Sequence, residues 1–166
     1  MATRPLKFTA GFTTVELLIA LAITAALLTA VAVAFNASVR NYTENEDIYK
    51  TVHTAQQALF RMTSQIRTGQ SFDTAAPNNE CSFFTTDGRD ITYRFKSADN
   101  KLYLITNDDL LDDDYVLCTN VTSMNFIKTL TDEATDCKSV QISMTVESGN
   151  VQRKVSAAAV IRRNLK

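Results

Sequence analysis

Glycine and proline are scarce in this chain, four and two among 166 residues. None of them falls between Phe12 and Thr68, so no residue there breaks a helix. Histidine occurs once, as His53, with no nucleophile motif near it, so a histidine-based active site is not expected. The sequence has no nucleophile elbow, phosphate-binding loop or histidine-rich metal motif. No sign of charge dominates: 17 basic residues face 18 acidic ones, for a net charge of −1. Without a basic tract or an aromatic-basic ladder, nucleic acid is not an expected partner. Ionisable side chains are also missing from Phe12 to Phe35, with one exception, Glu16.

What is present there is an apolar run long enough to cross a bilayer. A carboxylate in such a run costs roughly 3 kcal/mol at the helix centre on insertion scales, and less toward an end. A residue kept at that cost is read as a functional site whose partner must be found. Arg4 and Lys7 precede the run and no acid does, which by the positive-inside rule leaves the N-terminus in the cytoplasm and residues after Phe35 outside. The run is rich in small residues (Ala20, Ala22, Ala25, Ala26, Ala30, Ala32, Ala34), as suits helices that pack closely in lipid. Three other readings stand beside this one. They are a signal peptide cut after Ala32 or Ala34, an uncleaved anchor with an incidental acid, and a buried soluble helix.

The segment Gly11-Phe12-Thr13-Thr14-Val15-Glu16-Leu17-Leu18-Ile19-Ala20, behind a short basic leader, resembles the type IV prepilin and type II secretion pseudopilin family. The resemblance implies cleavage after Gly11 by a prepilin peptidase on the cytoplasmic side, and N-methylation of the new terminus, Phe12. Glu16 becomes the fifth mature residue and pairs with the Phe12 amine of a neighbouring subunit during assembly. The implied partners are that peptidase, other pilin or pseudopilin subunits and an inner-membrane assembly platform. The implied role is structural, not enzymatic: a minor subunit, single-pass in the bacterial inner membrane before it joins a fibre. The order of later segments, closing on Arg162, Arg163 and Asn164, is similar to that of J-type minor pseudopilins.

Beyond Phe35 the helical pattern continues. Val39, Tyr42, Tyr49, Val52, Leu59, Met62 and Ile66 recur at helical spacing, and Gly69 is a natural stop. Residues 71–80 read as a polar loop. The period then changes to two. Ser82–Thr85 and Ile91–Phe95 flank the hairpin signal Asp87-Gly88, and strands are expected at Leu102–Ile105, Tyr115–Leu117, Val121–Leu130, Val140–Val146 and Val151–Ile161. The expected fold is α+β, a long N-terminal helix packed on an antiparallel β-sheet. Its divisions are a leader (1–11), a membrane and assembly half of the helix (12–35), an amphipathic half (36–68) and a globular sheet domain (69–166).

Cys81, Cys118 and Cys137 all lie in the part placed outside, where oxidation is available, and an odd count allows at most one internal bridge. The expectation is Cys118–Cys137, stapling the Val121–Leu130 strand and the turn after it, with Cys81 the thiol left over and the alternative partner for either. The three lack the paired spacing of a zinc site. Asp108, Asp109, Asp112, Asp113 and Asp114 form a cluster that suits a hard cation such as calcium, but without EF-hand spacing; a solvated turn is expected, with no metal and no cofactor. Asn36, Asn41 and Asn120 match glycosylation sequons by chance in such a protein.

Overall fold

A computed structural model describes residues 11–108 and 114–162. Its elements are α1 (Thr14–Ile66), β1 (Glu80–Phe84), β2 (Asp90–Lys96), β3 (Lys101–Thr106), β4 (Tyr115–Cys118), β5 (Val121–Leu130), β6 (Cys137–Ser148) and β7 (Val151–Val160). The class is α+β, with every expected strand in place and all strand pairs antiparallel. The chain divides into two compact units between Thr43 and Glu44. Residues 36–47 are all exposed, and Ile48 is the first helical residue to be buried.

The helix forms for local reasons. No glycine or proline interrupts it, and its threonines bond back to the preceding turn. Thr24 Oγ1 donates to the Ala20 carbonyl at 2.7 Å and Thr29 Oγ1 to that of Ala25 at 2.8 Å. Lys50 and Glu46 pair at 2.7 Å one turn apart. In the second unit the buried stripe is Ile48, Ala55, Ala58, Leu59, Met62 and Ile66, with Val52 packed against it. The expected stripe is therefore half corrected. Val39, Tyr42 and Tyr49 are exposed, because the face that meets the sheets follows Ile48 and two alanines, which hydrophobicity marks weakly.

The single expected sheet is also corrected: there are two. One has the order β1-β2-β3-β4 and the other β5-β6-β7. The break falls at the Thr119-Asn120 link, where Asn120 takes a positive φ of 59° and turns the chain out of the first sheet. Inward-facing side chains alternate as pleating requires. Cys81, Phe83, Ile91, Tyr93 and Phe95 line the first sheet; Val140, Ile142, Met144 and Val146 line the second, with Met144 opposite Met124 and Ile142 opposite Phe126. Tyr93 donates its phenol hydrogen to Gln65 Oε1, tying β2 to the helix.

Residues 71–80, expected as a plain polar loop, seam the two sheets together. The Phe126 amide donates to the Asn78 carbonyl at 2.7 Å and the Phe95 amide to that of Asn79 at 3.0 Å. Lys128 Nζ donates to the carbonyls of Asp73 and Ala76 at 3.1 and 2.9 Å.

The helix ends just before Gly69, as expected. The last turn tightens, with the Gly69 amide bonded to the Ile66 carbonyl at 3.2 Å, and Gly69 is not among the residues with positive φ. Its lack of a side chain answers a close approach instead. A Cβ there would stand 2.6 Å from the Phe83 ring and 2.8 Å from that of Phe72, rings that stack on each other at 4.9 Å. Gly69→Ala is expected to lower unfolding free energy by about 1–3 kcal/mol through overpacking. A urea titration checks this, and an unchanged midpoint would mean the rings move aside freely.

Candidate functional site

The candidate site is the start of α1. Thr13 precedes the first helical residue and Glu16 sits in the first turn, a Thr-x-x-Glu spacing. The two close on each other reciprocally. The Glu16 amide donates to Thr13 Oγ1 at 3.2 Å, while Glu16 Oε2 accepts the Thr13 amide at 2.9 Å and the Thr13 hydroxyl at 3.0 Å. This is a capping box, which satisfies amides that the first turn leaves without intrahelical partners. The pattern was legible in the sequence, but an acid in an apolar run draws attention to its charge before its spacing. The partner that Glu16 was expected to need is, within its own chain, Thr13. Both bonds use Oε2, and among the described residues Oε1 accepts no hydrogen bond.

The surface beyond the cap is apolar and bare. The most apolar 18-residue window of the helix has mean hydropathy 2.6, and none of it is buried. Leu17, Leu18, Leu21, Leu27 and Phe35 are all more than half exposed, as is Phe12 at 84%. The helix is thus long and apolar enough to span a membrane. Gly11 and Phe12 lie immediately before the cap, outside any regular element, with nothing near Gly11 that a Cβ would touch. Residues 1–10, with Arg4 and Lys7, lie outside the described residues.

Of the other candidates, the cysteines are reassigned. The structure contains no disulfide among the described residues, and the expected Cys118–Cys137 bridge does not fit its strand register. Cys118 ends β4 beside the start of β5, whereas Cys137 pairs with Leu130 at the far end of β5. Ten residues of extended strand separate those ends, about 30 Å, where a disulfide tolerates no more than about 7 Å between α-carbons. Spacing suggested a closed loop; the intervening strand holds it open. All three thiols are buried. Burial pushes Cys81 up to about 12, against the Lys128 ammonium that pulls it down, and pushes Cys118 and Cys137 each up to about 11.

Asp108 and Asp114 bond to protein groups. Asp108 Oδ2 accepts the Asp90 amide at 2.6 Å, and Asp114 Oδ2 accepts Lys96 Nζ at 2.7 Å. Asp109, Asp112 and Asp113 lie outside the described residues, as do Arg163 and Asn164. His53 is exposed and stacks on Tyr49 with ring centroids 6.3 Å apart. No protein-family model, curated protein or solved structure matches this chain.

Two outcomes follow from this geometry. Thr13→Ala removes the hydroxyl of the cap and should destabilise the first turn by about 1 kcal/mol. Amide exchange of residues 14–17 in detergent micelles reports it, and Glu16→Gln, which still accepts from Thr13, should leave exchange near wild type. Equal fraying in both variants would contradict the capping role. The thiols set an alkaline limit. In the unfolded chain they ionise near their ordinary 9.0, while in the folded chain they hold their protons to about 11 or above. Within that window the unfolded state binds fewer protons, so stability falls as pH rises and is unaffected by these groups below it. A urea midpoint that declines from about pH 9 to 11, with native thiols unreactive to alkylation near pH 8, is expected. Rapid native alkylation would contradict the burial.

Proposed function

We propose that this chain is a minor subunit of a type IV pilus or a type II secretion pseudopilus, made as a prepilin in the bacterial inner membrane. One observation carries the reading: a single acid between Phe12 and Phe35, held by Thr13 in the first turn of a helix whose apolar N-terminal part is exposed. A helix of that kind needs a surrounding of lipid or of other helices, and the acid needs a reason to be there.

The proposed sequence of events uses only a few residues. The peptidase adds water across the Gly11–Phe12 peptide bond, leaving a carboxylate on Gly11 and an amine on Phe12; the amine then takes a methyl group from a sulfonium methyl donor, whose S–CH3 bond breaks to a thioether, and gives up one proton to solvent. The mature helix leaves the bilayer by exchanging lipid for neighbouring helices. Glu16 meets the Phe12 amine of an adjacent subunit through Oε1, while Oε2 keeps the Thr13 cap. In a medium of low dielectric an unpaired acid or amine is costly, so subunits settle in the register that joins them. The alanines along the helix suit close packing in that bundle. The part from Glu44 onward stands outside the membrane and supplies lateral contacts or recognition at the fibre tip.

Gly11→Val should leave the leader attached, because a branched side chain obstructs the extended approach to the cut. An anti-leader epitope tag, still present on the membrane-bound variant and lost from wild type, reads this out. Glu16→Gln separates charge from capping. It should insert, be cleaved and keep its helix start, yet fall at least about tenfold in fibre fractions when a charge pair is needed. Glu16→Ala should fail at least as severely. Incorporation of both at wild-type level would show that the acid is incidental to assembly.

A further inference from the structure

β7 is the edge strand of the second sheet. It pairs with β6 along its whole length, from Ser148↔Val151 to Ser139↔Val160, and among the described residues nothing pairs with its other side. The other edges are guarded or short. Gln70 bridges to Phe84 on β1, residues 73–78 cover β5 through the Asn78 and Lys128 bonds, and β4 has only four residues. β7 carries guard charges only toward its start, at Arg153 and Lys154. Its end, Ser156-Ala157-Ala158-Ala159-Val160, has no charge and no proline. Soluble proteins block such an edge unless it receives a strand.

A groove of about 740 Å³ opens beside that end. Phe60 and Ser64 of α1 and Arg67 just past its end form one wall, and Ala158, Val160 and Arg162 form the other. Phe60 is 78% exposed and Val160 47%, an apolar pair without cover. The Arg162 amide bonds to the Arg67 carbonyl at 3.2 Å, which brings the two cationic residues side by side. No residue lining the groove is acidic.

We propose that the β7 edge and this groove bind an extended, acidic, aliphatic segment of another protein. The segment adds as a fourth strand to the β5-β6-β7 sheet. Main-chain hydrogen bonds to β7 supply affinity, an aliphatic side chain rests on Phe60 and Val160, and a carboxylate sits between Arg67 and Arg162. A second copy of this chain fits less well, because it would bring the same cations against themselves. This inference stands without the fibre reading, since it uses only residues from Glu44 onward.

The test uses the full chain in detergent micelles and two fluorescent peptides of equal length, one alternating valine with glutamate and one alternating valine with lysine. The glutamate peptide is expected to bind, to slow amide exchange in residues 156–160, and to weaken as salt rises. The lysine peptide, and the variants Arg67→Glu and Arg162→Glu, are each expected to bind at least about tenfold more weakly, while Arg153→Glu at the far end changes little. Circular dichroism confirms that each variant is folded. Equal binding of both peptides, no binding, protection elsewhere than β7, or occupation of the groove by dimerisation of the chain itself would each overturn the proposal.

Discussion

Everything about this protein turns on an apolar helical surface that its own fold leaves bare. Each large side chain from Val15 to Phe35 would forgo roughly 1.5–3 kcal/mol if it stayed in water. A bilayer, or a bundle of like helices, removes that cost, and the helix is already fitted for either. Its backbone is internally bonded, and the hydroxyls of Thr24 and Thr29 turn back to carbonyls one turn earlier. Even the acid is half satisfied, since Thr13 donates twice to one carboxylate oxygen. The remaining oxygen accepts no hydrogen bond among the described residues, so it can meet a charged group from outside the chain.

The part from Glu44 onward follows different physics. It closes its own core from the inner faces of two sheets and one helical stripe, and the segment before β1 seams the sheets together. Where it leaves something unfinished, the location is specific: an unguarded strand end beside an exposed phenylalanine and two arginines. One unit thus presents an apolar surface that lipid or like helices can cover, and the other presents an edge that an extended chain can cover.

Much of the architecture was legible from residues. The strands declared themselves through alternation, and Asp87-Gly88 marked a turn where Gly88 does take a positive φ. The uninterrupted helix followed from the missing glycine and proline. Other features depend on distance through space, which spacing along the chain does not carry. Cys118 and Cys137 are close in sequence and a strand's length apart. The division into two sheets rests on one asparagine. The buried stripe uses Ala55 and Ala58, which hydrophobicity underrates, and passes over Tyr42 and Tyr49, which it overrates. Gly69 was legible as a stop, but not the two phenylalanine rings that need its missing side chain. The Thr13–Glu16 box was visible in the letters, but the charge of Glu16 hid its spacing.

The most direct test of the account is the intact mass of the chain extracted from membranes of cells that make the processing machinery. The account predicts the mass of residues 12–166 bearing one added methyl group, with fragmentation placing that methyl on the Phe12 amine. A chain that retains residues 1–11, or one that begins near Phe35, would contradict it.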